Sequence, residues 1–396
     1  MRSSKIGTPI ILNMSDNFFE TYKAIQEFET EENVSWLNSD YGNLWPLLRN
    51  EVLGSFNPNY KKHIERTPIW RLLGALKRTI GPIILENKRI PAQSFYKNFD
   101  ELWISSKERR LGGYNKYIDP YFKAFASKKA LIVEKNNEMP LFYKIDSLNT
   151  RVLNYNSIYN YFNIINFINS LTSFKKIKQN KGLLKIVESF PHIPMYNLFI
   201  SYSYFVNWYN FYTYFLSKFP ALKKVYYTGN GTPDLFALIA AANALNVKTF
   251  EFQHGVISKH GIDYKYSIQN DSLFKLAPSC IFVYSAEAVN ILEENTKGSI
   301  RIKKIENIAL NNWKSKHKPS RKDAILFSLQ NTVLPADHFI FPFFKYINQQ
   351  HPNLSIILRL HPSHKHIKDK YQKILQKQGI TYYSAIQRQY YFYSSG

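Results

Sequence analysis

Residues 222–253 constrain this chain more than any other stretch. Leu222-Lys223-Lys224-Val225-Tyr226-Tyr227-Thr228 is a short apolar, aromatic run that stops at the turn Gly229-Asn230-Gly231. Thr232 stands where a helix cap is wanted, and Pro233 suits the first helical position. The Ala- and Leu-rich run from Pro233 to Leu245 reads as a helix, Asn246 ends it, and Val247 to Gln253 is a second strand. Strand, helix, strand at this spacing is a βαβ unit and predicts a parallel sheet. In open α/β sheets ligands bind outside the carboxyl ends of the strands. That puts Gly229, Asn230, Gly231 and Thr232 on one rim with Gln253, His254 and Gly255.

The same alternation runs along the rest of the chain. Pro9 to Met14, Glu101 to Ser105, Lys129 to Val133, Cys280 to Tyr284 and Ile305 to Ala309 are further strand candidates. Ser15-Asp16-Asn17 can cap a helix into Phe19–Phe28, and Leu111-Gly112-Gly113 marks a turn. Helical patterns cover Ile158–Leu171 and Leu183–Phe190. Met195–Phe219 is an aromatic-rich helix broken from them by Pro191 and Pro194. Asn197, Ser201, Ser203, Asn207, Asn210 and Lys218 make that helix a buried or interfacial element rather than a span, which needs ~20 mostly apolar residues.

Asn311 to Lys322 is polar, basic and contains Pro319, and reads as a linker. A second α/β series follows: strand Ala324–Leu329, helix Ala336–Gln349 delayed by Pro342, strand Ser355–Leu360, helix Ile367–Gln378 and strand Ile380–Tyr383. The expected layout is an N-terminal α/β domain over 1–310, a linker over 311–322, and a C-terminal α/β domain over 323–396. The last of these is short for a doubly wound domain and is expected to be incomplete.

Lys and Arg number 52 against 29 Asp and Glu, a formal charge of +23. Such a field attracts polyanions, and charge alone admits nucleic acid, anionic lipid headgroups and nucleotide-diphosphate donors. Nucleic-acid binding predicts basic and aromatic residues interleaved on one face. Here the aromatics gather in apolar runs such as Tyr202–Phe215 and the basic residues scatter, so no nucleic acid is expected. With Cys280 as the only cysteine, no disulfide within the chain and no Cys-based zinc site can form. The N-terminal residues lack the apolar core of a secretory signal. The expectation is a cytoplasmic protein.

Two short motifs carry candidate chemistry. His254 sits just past a strand and ahead of Gly255, where an imidazole can take a proton from an attacking hydroxyl near neutral pH. Gln253 and Lys259 lie beside it and can bind oxygens. The competing reading is a strand-end histidine satisfied by a backbone carbonyl. The second motif is Arg359-Leu360-His361-Pro362-Ser363, again at a strand end. Pro362 holds His361 extended, and Ser363 with the amides of the next helix suits a phosphate. A surface helix cap is the competing reading. Ser394-Ser395 could add two hydroxyls. Walker-A, nucleophile-elbow and zincin spacings are absent. His254 and His260 are six apart, and His361, His364 and His366 have only Asp369 as a close carboxylate, so no metal site is expected.

The order Gln-His-Gly, linker, Arg-Leu-His-Pro, Ser-Ser resembles the bacterial GT-B transferases that carry a His-Pro motif. These include capsule and lipopolysaccharide glycosyltransferases, sialyltransferases and CDP-glycerol glycerophosphotransferases. Residues 251–264 look most like the Gln-His-Gly segment of the capsule type, and Asp40 to Arg49 is similar to an N-terminal element of that type. The resemblance implies two Rossmann-like domains facing across a cleft and no cofactor beyond the nucleotide-activated sugar. His361, Pro362, Arg359, Ser363, Ser394 and Ser395 would bind donor phosphate. His254 would be the base, with Gln253 beside it, and Gly229–Thr232, Gly255, Lys259 and His260 would line the cleft. The expected activity is transfer of a sugar to a growing surface polysaccharide, with polyol-phosphate transfer as the alternative and a basic nucleic-acid-binding protein as the alternative of another class. A lipid-linked or oligosaccharide acceptor would bring the protein to the anionic inner face of the plasma membrane.

Overall fold

The computed structural model describes residues 93–106, 114–135, 142–145, 150–155, 195–229, 231–257, 276–316, 324–328, 339–359, 368–377 and 382–384. It also describes 38–39, 42–43, 45–55 and positions 25, 27, 28, 148, 186, 188–190, 193 and 264. The strand expected at Pro9–Met14, the helix at Ile158–Leu171 and the turn at Leu111–Gly113 lie outside these residues, as does nearly all of Phe19–Phe28 and much of Leu183–Phe190. The chain forms two compact units, Met1–Arg109 with Asn115–Ile308, and Arg110–Tyr114 with Ala309–Gly396.

In the first unit a two-residue antiparallel pair, β1 (Asn38–Ser39) and β2 (Gly42–Asn43), precedes helices α1 (Trp45–Ser55) and α2 (Gln93–Tyr96). The main sheet follows: β3 (Glu101–Ser106), helix α3 (Asp119–Phe125), β4 (Ala130–Lys135), β5 (Phe142–Ile145) and β6 (Thr150–Asn154). Then come helix α4 (Met195–Ser217), β7 (Lys224–Thr228), helix α5 (Pro233–Ala244), β8 (Lys248–Phe252), β9 (Cys280–Val283), helix α6 (Ala286–Thr296) and β10 (Arg301–Lys304). The eight strands lie in the order β10-β9-β8-β7-β3-β4-β6-β5. Every pairing is parallel except β5 with β6.

A parallel sheet must be covered on both faces, and β3 shows how. Leu102 and Ile104 point into a core shared with α4 and α5, while Trp103 points the other way into a core with Ile118 and Tyr121 from around α3. This is the period of two expected of a strand. Helix α4 turns Phe205, Trp208, Phe211, Tyr212 and Phe215 inward, all almost fully buried. At about 1.5–3 kcal/mol for a large apolar side chain, this stripe is a main source of the unit's stability. It explains why so aromatic a helix sits inside the protein, as its polar residues foretold. Among the described residues no helix is long and apolar enough to cross a membrane. Helix α5 meets α4 with Ala237, Ala240, Ala241 and Ala242 buried, small side chains that let two helices approach closely.

The ends of α5 are set by local chemistry. Asn246 takes the left-handed conformation at φ 57°. The Val247 N–H reaches back to the Ala242 carbonyl at 2.8 Å and the Asn246 N–H to Asn243 at 3.1 Å. These are the two bonds of a Schellman stop. At the other end Pro233 begins the helix as expected, but the Thr232 side chain makes no capping bond and is exposed.

In the second unit β11 (Ala324–Ser328), helix α8 (Ile340–Gln350), β12 (Ser355–Arg359), helix α9 (Lys368–Lys377) and β13 (Tyr382–Ser384) form a three-stranded parallel sheet in the order β11-β12-β13. Both helices pack on the same core of this sheet. Phe341, Phe344 and Ile347 of α8 share a core there with Tyr371 and Leu375 of α9. The expected α/β class, with open parallel Rossmann-like sheets, is present in both units.

Two local expectations change. The strand expected at Ile305–Ala309 is β10 at Arg301–Lys304, and Ile308–Lys316 is a helix, α7. Strand β10 is an edge strand with Arg301, Lys303 and Lys304 exposed, so its sequence lacks the apolar run of a central strand. Ile305 and Ile308 instead pack beside the core around Trp103. The first half of the expected linker, Asn311–Lys316, is therefore helical.

Candidate functional site

Strand order picks out one place on the first sheet. From β3 the chain steps outward to β4 and β6, then returns through α4 to place β7 on the opposite side of β3. Connections leaving β3 and β7 diverge, which opens a crevice at their carboxyl ends, the preferred ligand position in such sheets. The rim there carries Ser105 from β3, Thr228 from β7 with Gly229 just after it, and, one strand further, Gln253 and His254 after β8.

Gly229 has φ 91° and Gly231 φ 86°, conformations that glycine alone adopts readily. The turn between β7 and α5 thus needs glycine at both positions for its own geometry. Gly255 is different. A Cβ there would meet nothing within 4 Å. Packing against the described residues therefore does not require a glycine here.

His254 is exposed, and its ring lies edge-on to Tyr117 with centroids 6.5 Å apart. Tyr117 is fixed from behind. Its N–H donates to Asn115 Oδ1 at 3.0 Å, and Asn115 Nδ2 donates to Ser105 Oγ at 3.0 Å. Ser105 in turn donates to Glu134 Oε1 at 3.1 Å, while Asp119 accepts from the Asn115 N–H at 2.9 Å. Asn115, Asp119 and Glu134 are fully buried, so this polar chain is held in low dielectric, where such bonds are strong. Lys116 stands 4.9 Å from the centre of the Tyr117 ring, a cation–π contact.

Gln253 spans two backbone groups. Its Nε2 donates to the Gly255 carbonyl at 2.7 Å, and its Oε1 accepts from the Tyr284 N–H at 2.9 Å. The side chain ties the loop after β8 to the end of β9 and so orients His254. Just beneath, Glu251 is fully buried and accepts from the Tyr264 hydroxyl at 2.6 Å and the Tyr227 hydroxyl at 3.3 Å. Tyr284 stacks near Tyr121, ring centroids 6.1 Å apart. Burial, and the hydrogen bond it gives to Tyr121, hold the Tyr284 phenol far above its ordinary range. Burial likewise raises Tyr121. Both phenols stay protonated at physiological pH.

Sequence reasoning missed Tyr117, Asn115 and Glu251. Of these only Glu251 left a signal, an acid at an inward position of an apolar strand. In the second unit Arg359 ends β12, level with Ser328 of β11, and Ser384 lies opposite Leu358. Asn230, Lys259, His260, His361, Pro362, Ser363, Ser394 and Ser395 lie outside the described residues. Among the described residues no group of three or more His, Cys, Asp or Glu could hold a metal ion.

No protein-family model and no curated protein sequence matches the chain. Solved structures resemble it at low identity. One is MnaA of S. aureus with UDP, at 16% identity over 74% of this chain and 71% of that one, TM-score 0.39. Another is UDP-GlcNAc 2-epimerase from Neisseria meningitidis bound to UDP-GlcNAc, at 11% identity over 72% and 71%, TM-score 0.36. A third is HepE of Anabaena in complex with UDP and glucose, at 10% identity over 72% and 69%, TM-score 0.35. The α/β class of this chain follows from its own two parallel sheets.

Proposed function

We propose that the chain transfers a sugar from a nucleotide-activated donor to an acceptor hydroxyl of a growing surface polysaccharide. The observation that carries this reading is His254: an exposed imidazole on the carboxyl rim of a parallel sheet, one strand from the point where the connections diverge, braced by Tyr117 and by the Gln253 loop. The resemblance of the Gln-His-Gly and Arg-Leu-His-Pro segments to His-Pro transferases supports it.

In this reading His254 takes the proton as the acceptor oxygen bonds to the anomeric carbon. The bond from that carbon to the donor phosphate breaks, and its electron pair leaves with the nucleoside diphosphate. Arg359, His361, Ser363, Ser394 and Ser395, with the helix that Pro362 precedes, would hold the departing phosphate, and cationic side chains and backbone amides would offset its charge. The acceptor would be lipid-linked or an oligosaccharide, presented at an anionic membrane face.

Thermal melting with CMP, CDP, UDP and GDP, beside single-stranded DNA, tests the reading. One nucleotide should raise the midpoint and DNA should not. His361→Ala should weaken nucleotide binding by about 1–3 kcal/mol. His254→Ala should slow turnover by roughly 10²–10⁴ with donor binding retained. Stabilisation by DNA alone, or full turnover without His254, overturns it.

A further inference from the structure

Helix α8 is apolar on two sides. Phe341, Phe344 and Ile347 face the core of the second unit. Phe339, just ahead of the first turn, is 64% exposed, Phe343 45% and Tyr346 59%. Spacings of four and three residues stack these three in one row along the helix, with exposed Pro342 beside them. Solvent-facing positions of a surface helix are ordinarily polar, and a contiguous exposed apolar row marks a contact surface.

The charge around this row is predominantly positive. Residues 309–396 hold thirteen Lys and Arg against three acids, Asp323, Asp337 and Asp369, so much of the chain's positive excess lies in this unit. No acid occurs between Asp337 and Asp369. Lys345 is exposed on α8. Helix α9 lies alongside on the same face of the sheet, where Tyr371 meets Phe341 at a ring distance of 6.0 Å, and it exposes Lys373.

We infer that this face of α8 docks on an anionic lipid bilayer. Phe339 and Phe343 enter the boundary of the acyl chains, the Tyr346 phenol sits at headgroup level, and Lys345 and Lys373 meet lipid phosphates. A second copy of the chain would cover the apolar row but bring two strongly basic units together. A nucleic acid would satisfy the charge, yet base stacking uses aromatic platforms in a charged groove, and this row is a ridge on a convex helix. The inference extends the membrane side of the proposed function, but its test involves no turnover.

The full chain is sedimented with vesicles of phosphatidylcholine alone and of phosphatidylcholine mixed with phosphatidylglycerol. The chain should pellet with the mixed vesicles. The double substitution Phe339→Ser/Tyr346→Ser should lower that partitioning about tenfold or more. Phe343 is left intact because it also packs edge-on against Phe327, at 6.1 Å. An unchanged melting midpoint shows that the variant folds. Lys345→Glu, which removes no apolar contact, should also weaken binding to the mixed vesicles. No binding by the wild type, or equal binding by the double variant, overturns the inference. So does a self-association lost in the double variant, which assigns the face to a second copy, or DNA binding lost in it, which assigns the face to nucleic acid. A chain that binds nucleotide but no vesicle leaves the transfer reading standing and this one refuted.

Discussion

Replacing Gln253 separates a side chain that braces the His254 loop from one that merely lies near it. Its amide both donates, to the Gly255 carbonyl at 2.7 Å, and accepts, from the Tyr284 N–H at 2.9 Å. Gln253→Ala removes both bonds. Each is worth about 0.5–1.5 kcal/mol net, and the site is partly exposed, so water recovers some of the loss. The expected destabilisation is about 1–2 kcal/mol, or roughly 2–4 °C in melting midpoint for a unit of this size. Gln253→Glu keeps the acceptor but sets a carboxylate oxygen against the Gly255 carbonyl. Only the protonated acid restores the donor, so folding raises the pKa of the introduced carboxyl above its ordinary value of about 4.3. A group raised on folding contributes stability that is complete below the unfolded value and is lost as pH climbs through the folded one. The Glu variant should thus melt close to wild type near pH 4 and fall behind it by pH 7, while the Ala variant lags at both. Calorimetry at the two pH values decides. A Glu variant whose deficit does not grow with pH, or an Ala variant that melts with the wild type, refutes the brace.

Three further outcomes follow. Gly229→Ala, at φ 91°, should cost about 1–2 kcal/mol in backbone strain, whereas Gly255→Ala should leave the urea midpoint in place because its Cβ has open space. If ligand approaches the backbone at residue 255, the second variant should nonetheless lose affinity. Asn115→Ala strips the part-buried Tyr117 N–H and the buried Ser105 of a partner and should destabilise by about 1–3 kcal/mol, read as a lower urea midpoint. Burial raises the Tyr96 phenol to about 12, above its unfolded value near 10. Its contribution is complete below pH ~10 and is lost between about 10 and 12, so Tyr96→Phe should flatten the fall in urea midpoint over that range.

What could be read from the residues was whatever short range decides. The β7–α5–β8 unit was legible because its turn, its helix start and its helix stop are written in consecutive residues, down to the left-handed Asn246. Strand β10 was misplaced because an edge strand with three exposed cations has no apolar run to announce it. The strands Phe142–Ile145 and Thr150–Asn154 went unnoticed because each short run is interrupted by a cation, Lys144 or Arg151, and they pair at the edge of the sheet.

The candidate site divides along the same line. His254 was placed by its own neighbours in sequence, since a glycine and a strand end are local facts. The importance of β3 was not local. It is the divergence point only because β7 returns to its far side after a hundred residues, and nothing in either strand records that choice. The bracing of His254 inherits this hidden order. Ser105, Asn115 and Glu134 come from three segments that meet only once β3 and β4 pair, and each is a common polar residue with no motif around it. Burial turns them into a specific support, because a polar group without water is committed to the partner it has. A histidine exposed at the rim and a polar chain buried behind it form one mechanical unit. The exposed half, which the proposal gives to the ligand, was legible, and the buried half was not, because its assembly depends on which strands become neighbours.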